Sequence, residues 1–85
     1  MKSFEYTITD STGLHARPAG LLVKAASGFS SSVTIKKGEK SADAKKIFAL
    51  MGLGVKFGET ITAEISGDDE EKACEELKNF FETNL

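Results

Sequence analysis

Three short stretches of this chain alternate apolar with polar side chains, and each keeps its apolar residues on one face. Phe4, Tyr6 and Ile8 alternate with Ser3, Glu5, Thr7 and Thr9. Val33 and Ile35 alternate with Ser32, Thr34 and Lys36, and Ile61, Ala63 and Ile65 with Thr60, Thr62, Glu64 and Ser66. A period of two marks a strand buried on one side only. Strands buried on both faces would read as unbroken apolar runs, so the pattern calls for an antiparallel sheet with one face covered and one face wet. The intervening stretches must supply the cover.

Those stretches have helical spacing. Over about Ala16 to Ser27 the apolar positions Ala19, Leu22, Val23 and Ala26 recur on one face. Pro18 fits the first turn, because it lacks an N–H and has a fixed φ, and Gly28 is expected to stop the helix in a left-handed conformation. Lys46 to Leu53 forms a briefer helix. Gly67-Asp68-Asp69 opens the last one, with acidic residues expected to cap it and Glu70 and Glu71 to complement its dipole. Its core stripe is Ala73, Leu77, Phe80 and Phe81. Lys37-Gly38-Glu39 reads as a tight turn into a polar edge strand, Lys40 to Asp43. The expected fold is α+β, an open-faced sandwich in which a four-stranded antiparallel sheet carries three helices on one face. A single domain over residues 1–85 is expected, since 85 residues leave no room for a second core.

Composition excludes several classes. The net charge of −2 gives no reason to expect nucleic acid or an anionic membrane as partner. Met1 to Thr9 alternates, so it reads neither as a signal peptide nor as a membrane span. The one cysteine, Cys74, has no internal partner and fits a reducing compartment, so a cytoplasmic domain is expected. Cys74 itself is expected to be a half-buried packing residue. Lys36, Lys37, Lys40, Lys45 and Lys46 make a basic edge that could suggest RNA. RNA-binding sheets, however, stack bases on exposed strand aromatics, and here Phe4 and Tyr6 share the face of Ile8. No metal site and no cofactor are expected.

The segment Gly13-Leu14-His15-Ala16-Arg17-Pro18-Ala19 contains the only histidine. Counting back from Pro18 puts His15 at the helix N-cap or within one residue of it. There, free backbone N–H groups and the positive end of the helix dipole disfavour an imidazolium, which leaves the ring nucleophilic. The same groups favour a dianionic phosphoryl group once it is attached. Arg17 adds planar, charge-assisted donors for phosphoryl oxygens. In the short helix, Ile47, Phe48, Leu50, Met51 and Leu53 occupy most of the circumference, and a one-sided sandwich cannot bury them all. Leu50 and Leu53 are expected in the core, and Ile47, Phe48 and Met51 as an exposed apolar docking patch.

This seven-residue segment resembles the active-centre signature of the HPr family, the histidine-containing phosphocarriers of the bacterial sugar phosphotransferase system. Ala44-Lys45-Lys46-Ile47 followed by Met51-Gly52-Leu53-Gly54-Val55 resembles the family's second characteristic segment. The Gly67-Asp68-Asp69-Glu70 helix entry and the overall length match as well. The resemblance implies that His15 accepts a phosphoryl group on Nδ1 from phosphorylated enzyme I and passes it to a histidine of enzyme IIA. It implies a phosphate site at His15, Ala16 and Arg17, with His15 and Arg17 carrying the chemistry. Partner contacts would fall on Thr12, Ala16, Gly20, Leu21, Lys24, Lys46, Ile47, Phe48, Met51, Gly52 and Gly54. A monomer without membrane insertion, acting as a stoichiometric carrier with no turnover of its own, is expected. In many Gram-positive members a regulatory serine precedes the position of Ile47. This chain has Lys46 there, which removes the chemical basis for that kinase-dependent control. Two alternatives are a relative serving a regulatory phosphorelay and a protein-binding regulator without phosphoryl transfer; the presence of His15 argues against the second, since non-carrier relatives lack the histidine.

Overall fold

The computed structural model describes residues 1–11, 13, 14 and 16–85. Seven elements follow in the order β1 (Lys2–Thr7), α1 (Ala16–Ser27), β2 (Ser32–Lys37), β3 (Lys40–Asp43), α2 (Ile47–Gly52), β4 (Thr60–Ser66) and α3 (Glu70–Asn84). The strands form one antiparallel sheet in the spatial order β1-β4-β2-β3. The register places Thr7 opposite Thr60 and Val33 opposite Ile65. The fold is therefore the expected open-faced sandwich, with β3 as the short polar edge.

Alternation in the strands becomes layering in space. Val33, Ile35, Ile61, Ala63 and Ile65 point into the core, while Lys36 and Glu64 pair at 3.1 Å and the Thr7 and Thr60 hydroxyls bond at 2.8 Å. From the helices come Ala19, Leu22 and Ala26 of α1, Leu50 of α2, and Ala73, Leu77 and Phe81 of α3. The Phe81 ring meets Phe4 and Tyr6 edge-on, at centroid distances of 5.3 and 5.6 Å, and so ties α3 to β1. Phe80, expected in the core stripe, is only half-buried and rests on Phe81 at 6.2 Å. Helix α1 packs against both α2 and α3. Cys74 is half-buried, as expected.

Two terminations differ from the sequence expectation. Gly28 does not adopt a positive φ. Helix α1 closes instead through tightened bonds, Gly28 N–H to the Ala25 carbonyl at 3.3 Å and Phe29 N–H to the Ala26 carbonyl at 3.2 Å. Asp69 occupies the N-cap position of α3 but makes no side-chain bond to its own helix. Its carboxylate reaches the loop before β2, where it accepts the N–H groups of Ser30 at 3.0 Å and Ser31 at 2.9 Å and the Ser31 hydroxyl. A buried serine with an otherwise unpaired hydroxyl costs more than a lost helix cap, so the long-range partner wins.

Candidate functional site

The segment between β1 and α1 is fastened at several points. Ile8 is buried, and beyond it the N–H groups of Thr9 and Asp10 both donate to the Leu85 carbonyl, at 2.6 and 2.7 Å. Gly13 N–H then returns to the Asp10 carbonyl at 3.0 Å, and Leu14 N–H donates to the Val55 carbonyl at 3.0 Å. The Leu14 side chain is buried in the core. Gly13 has a φ of 71° and lies so close to the 55–56 backbone that a Cβ there would fall 2.6 Å from the Val55 oxygen. Sequence position therefore carries a physical demand: only glycine combines this φ with this approach.

The expectations for Thr12 and His15 lie outside the described residues. Around them, α1 begins at Ala16 with no acidic residue in its first turn. Ala16 and Arg17 are exposed, whereas Pro18 is buried. The helix start thus exposes Ala16 and Arg17 to solvent, and the N-terminal end of the helix dipole is electropositive.

Helix α2 borders this region through its contact with α1. Gly20 and Ile47 meet at the seam, where a Cβ on Gly20 would lie 3.6 Å from Ile47 Cδ1. Ile47 is consequently half-buried, and the exposed patch loses one of its three expected members. Phe48 is 85% exposed, Met51 40% and Leu21 of α1 41%. Lys24, Lys46, Gly52 and Gly54 are exposed as well. Leu50 and Leu53 are buried, as expected. Leu21 of α1 and Phe48 and Met51 of α2 thus leave apolar side chains exposed on two helices that pack together, with Lys24 exposed on the first and Lys46 at the N-cap of the second.

Two features escaped the sequence reading. Phe57 is 62% exposed, on the loop whose neighbours Val55 and Lys56 touch Gly13. Glu59 holds the same loop: its carboxylate accepts the Lys56 N–H at 2.7 Å and pairs with Lys37 Nζ at 3.0 Å. The Lys37 hydrogen bond, followed by the Lys56 N–H, keeps the Glu59 carboxyl below its ordinary value. The sequence marks Phe57-Gly58-Glu59 as a turn, which the structure shows, but nothing local gives the exposure of Phe57 or connects Glu59 to Lys37. Among the described residues, no group of three or more His, Cys, Asp and Glu side chains converges as metal ligands would. No described helix is long and apolar enough to cross a membrane.

Comparison with known proteins decides the family. A family model described as the PTS HPr component phosphorylation site matches residues 2–83. The chain belongs to the HPr family. It is similar to the phosphocarrier protein HPr of Lysinibacillus sphaericus, with 42% identity over 77 residues covering 91% of this chain and 88% of that protein. Among solved structures it resembles HPr-C-His from Thermoanaerobacter tengcongensis with a TM-score of 0.93, at 43% identity and covering 98% of this chain and 93% of that one. A structure of an HPr dimer from the same organism matches with a TM-score of 0.77, also at 43% identity, covering 98% and 95% of the two chains. HPr proteins are phosphocarriers of the phosphotransferase system, and this chain has their fold throughout its strands and helices.

Proposed function

We propose that this HPr carries the phosphoryl group on His15, receiving it from phosphorylated enzyme I and delivering it to enzyme IIA. The observation that carries the reading is the construction of the helix entry. Gly13 and Leu14, which directly precede His15 in the chain, are fixed against Val55, and α1 starts immediately after it with Ala16 and Arg17 exposed. A rigid approach to an open helix start suits a reversible acceptor: the N–H groups favour the bound dianion, and exposure lets a second partner remove it.

In the transfer, a lone pair of the neutral imidazole attacks phosphorus in line as the donor's bond to phosphorus breaks. Arg17 supplies charge-assisted donors to the phosphoryl oxygens. Passage to enzyme IIA repeats the step with His15 as the leaving group. The exposed Leu21, Phe48 and Met51, with Lys24 and Lys46 beside them, are the surface on which both partners dock in turn. The carrier acts in the cytoplasm as a monomer and turns over no small substrate by itself.

The test is intact-mass measurement after incubation with enzyme I, magnesium and phosphoenolpyruvate, for the wild type and His15→Ala. One acid-labile phosphoryl adduct, absent from the variant, is expected. An uncharged wild type beside a control carrier that enzyme I does charge would overturn the reading.

A further inference from the structure

Lys37, the last residue of β2, is bound on several sides. Its Nζ donates to the Gly54 carbonyl at 2.9 Å and more weakly to the Leu53 carbonyl at 3.4 Å, and it pairs with Glu59 Oε1 at 3.0 Å. That carboxylate oxygen also accepts the Lys56 N–H at 2.7 Å. An ammonium has three donors and no acceptor, so this arrangement uses its capacity. It sits just past α2, where helix-end carbonyls carry partial negative charge. The result is a bridge from the end of β2 to both halves of the 53–59 segment.

What that segment touches gives the bridge its significance. The Val55 carbonyl receives the Leu14 N–H, and the Lys56 backbone lies against Gly13. We propose that Lys37, acting with Glu59, is a positioning residue for phosphoryl transfer: it fixes the 53–59 segment and through it the Gly13–Leu14 approach to His15. The proposal rests on the reading of His15 as the acceptor. A partly exposed ion pair contributes little to global stability, so the network's effect should be local and geometric. In-line transfer is sensitive to displacement of the attacking atom by fractions of an ångström to an ångström.

The experiment uses the full chain with Lys37→Met, which keeps the apolar stem and removes the ammonium, and Lys37→Arg, which restores the charge. Lys40→Met removes the same charge from the exposed residue paired with Lys37 across the hairpin. The readouts are amide hydrogen exchange at Leu14 and phosphoryl acceptance from enzyme I, separated into maximal rate and KM. In Lys37→Met, Leu14 exchange should accelerate and the maximal rate should fall, each by roughly three- to tenfold, with the melting temperature near that of the wild type. Lys37→Arg should recover most of both effects. Lys40→Met should leave both Leu14 exchange and the maximal rate unchanged.

Unchanged Leu14 exchange and maximal rate in Lys37→Met would overturn the proposal, as would equal changes in Lys40→Met. Should Lys37→Met fail to fold, Glu59→Gln, which keeps the shape and removes the counter-charge, is held to the same expectations. A wild type that enzyme I does not charge refutes the acceptor reading alone. Leu14 exchange then still decides whether the bridge holds the approach.

Discussion

The α-carbon of Gly13 lies against the carbonyl of Val55, so close that no side chain fits between them. A Cβ would sit 2.6 Å from the Val55 oxygen and 2.9 Å from the Lys56 α-carbon, on a residue already at φ 71°. Gly54 shares the positive φ, at 64°, but faces open space. Gly13→Ala should therefore cost about 2 kcal/mol or more, from strain and displaced backbone together, whereas Gly54→Ala should cost only the conformational share of about 1 kcal/mol. Urea unfolding of the two variants checks this. Equal midpoints would mean that the 55–56 backbone yields freely and that the approach to His15 is not rigid.

Asp69 makes acid the natural probe of the β2–α3 junction. The Ser31 hydroxyl first, then the Ser30 N–H, hold its carboxyl down to about 2 from an ordinary 3.8. A carboxyl with a depressed folded value stabilises the native state fully above its unfolded value. That contribution is lost as the pH falls from about 3.8 toward about 2. Asp69→Ala should melt at a lower temperature than the wild type near neutrality, and the gap should close across that acidic window. A gap that persists undiminished at the acid end would assign the loss to packing instead of to the ionised carboxylate.

Phe48 separates docking from folding. With 85% of its surface exposed, its ring adds little to the core, so Phe48→Ala should melt within a degree or two of the wild type. If the ring anchors enzyme I, KM for the carrier should rise by roughly tenfold. Steady-state transfer assays with enzyme I and with enzyme IIA report whether both partners use it. A normal KM with both would remove Phe48 from the interface.

Lys46 sets stability against encounter. It stands at the N-cap of α2 with no side-chain bond to the helix, and its positive charge opposes the dipole there. Lys46→Ser should supply the missing cap and raise stability by about 0.5–1 kcal/mol. The same change should slow transfer at low salt if the lysine steers an acidic partner, and Lys46→Glu should slow it further. Transfer rates independent of the residue at low ionic strength would refute the steering role. An unchanged melting temperature in Lys46→Ser would refute the capping argument.

What could be seen in advance follows from how local each signal is. The strands and α1 were legible because alternation at Val33–Ile35 and Ile61–Ile65, and the spacing of Ala19, Leu22 and Ala26, are written in neighbouring residues. The exposure of Phe48 and Met51 followed from a helix too apolar to bury completely. Ile47 departed from that expectation because Gly20, on another helix, leaves a space that only tertiary packing reveals. Asp69 obeyed the capping pattern in sequence yet serves Ser31, 38 positions away. The Lys37–Glu59 bridge was hidden for the same reason: each residue alone is one more surface charge. The expectations on His15 and Thr12 fall outside the described residues, so for them the sequence remains the guide.

The sheet order β1-β4-β2-β3 sets a temporal constraint as well as a spatial one. β1 has a single neighbour, and the hydroxyl bond between Thr7 and Thr60 closes a loop of 53 positions. A growing chain that has not yet released residues 60–66 has nothing to pair with β1, and the segment leading to His15 has neither its β1 anchor nor its bond to Leu85. Long-range closure of this kind comes late in folding. The entry to α1 is thereby a property of the completed fold: it is assembled only once residues 60–66 and Leu85 have joined the sheet and helices already in place.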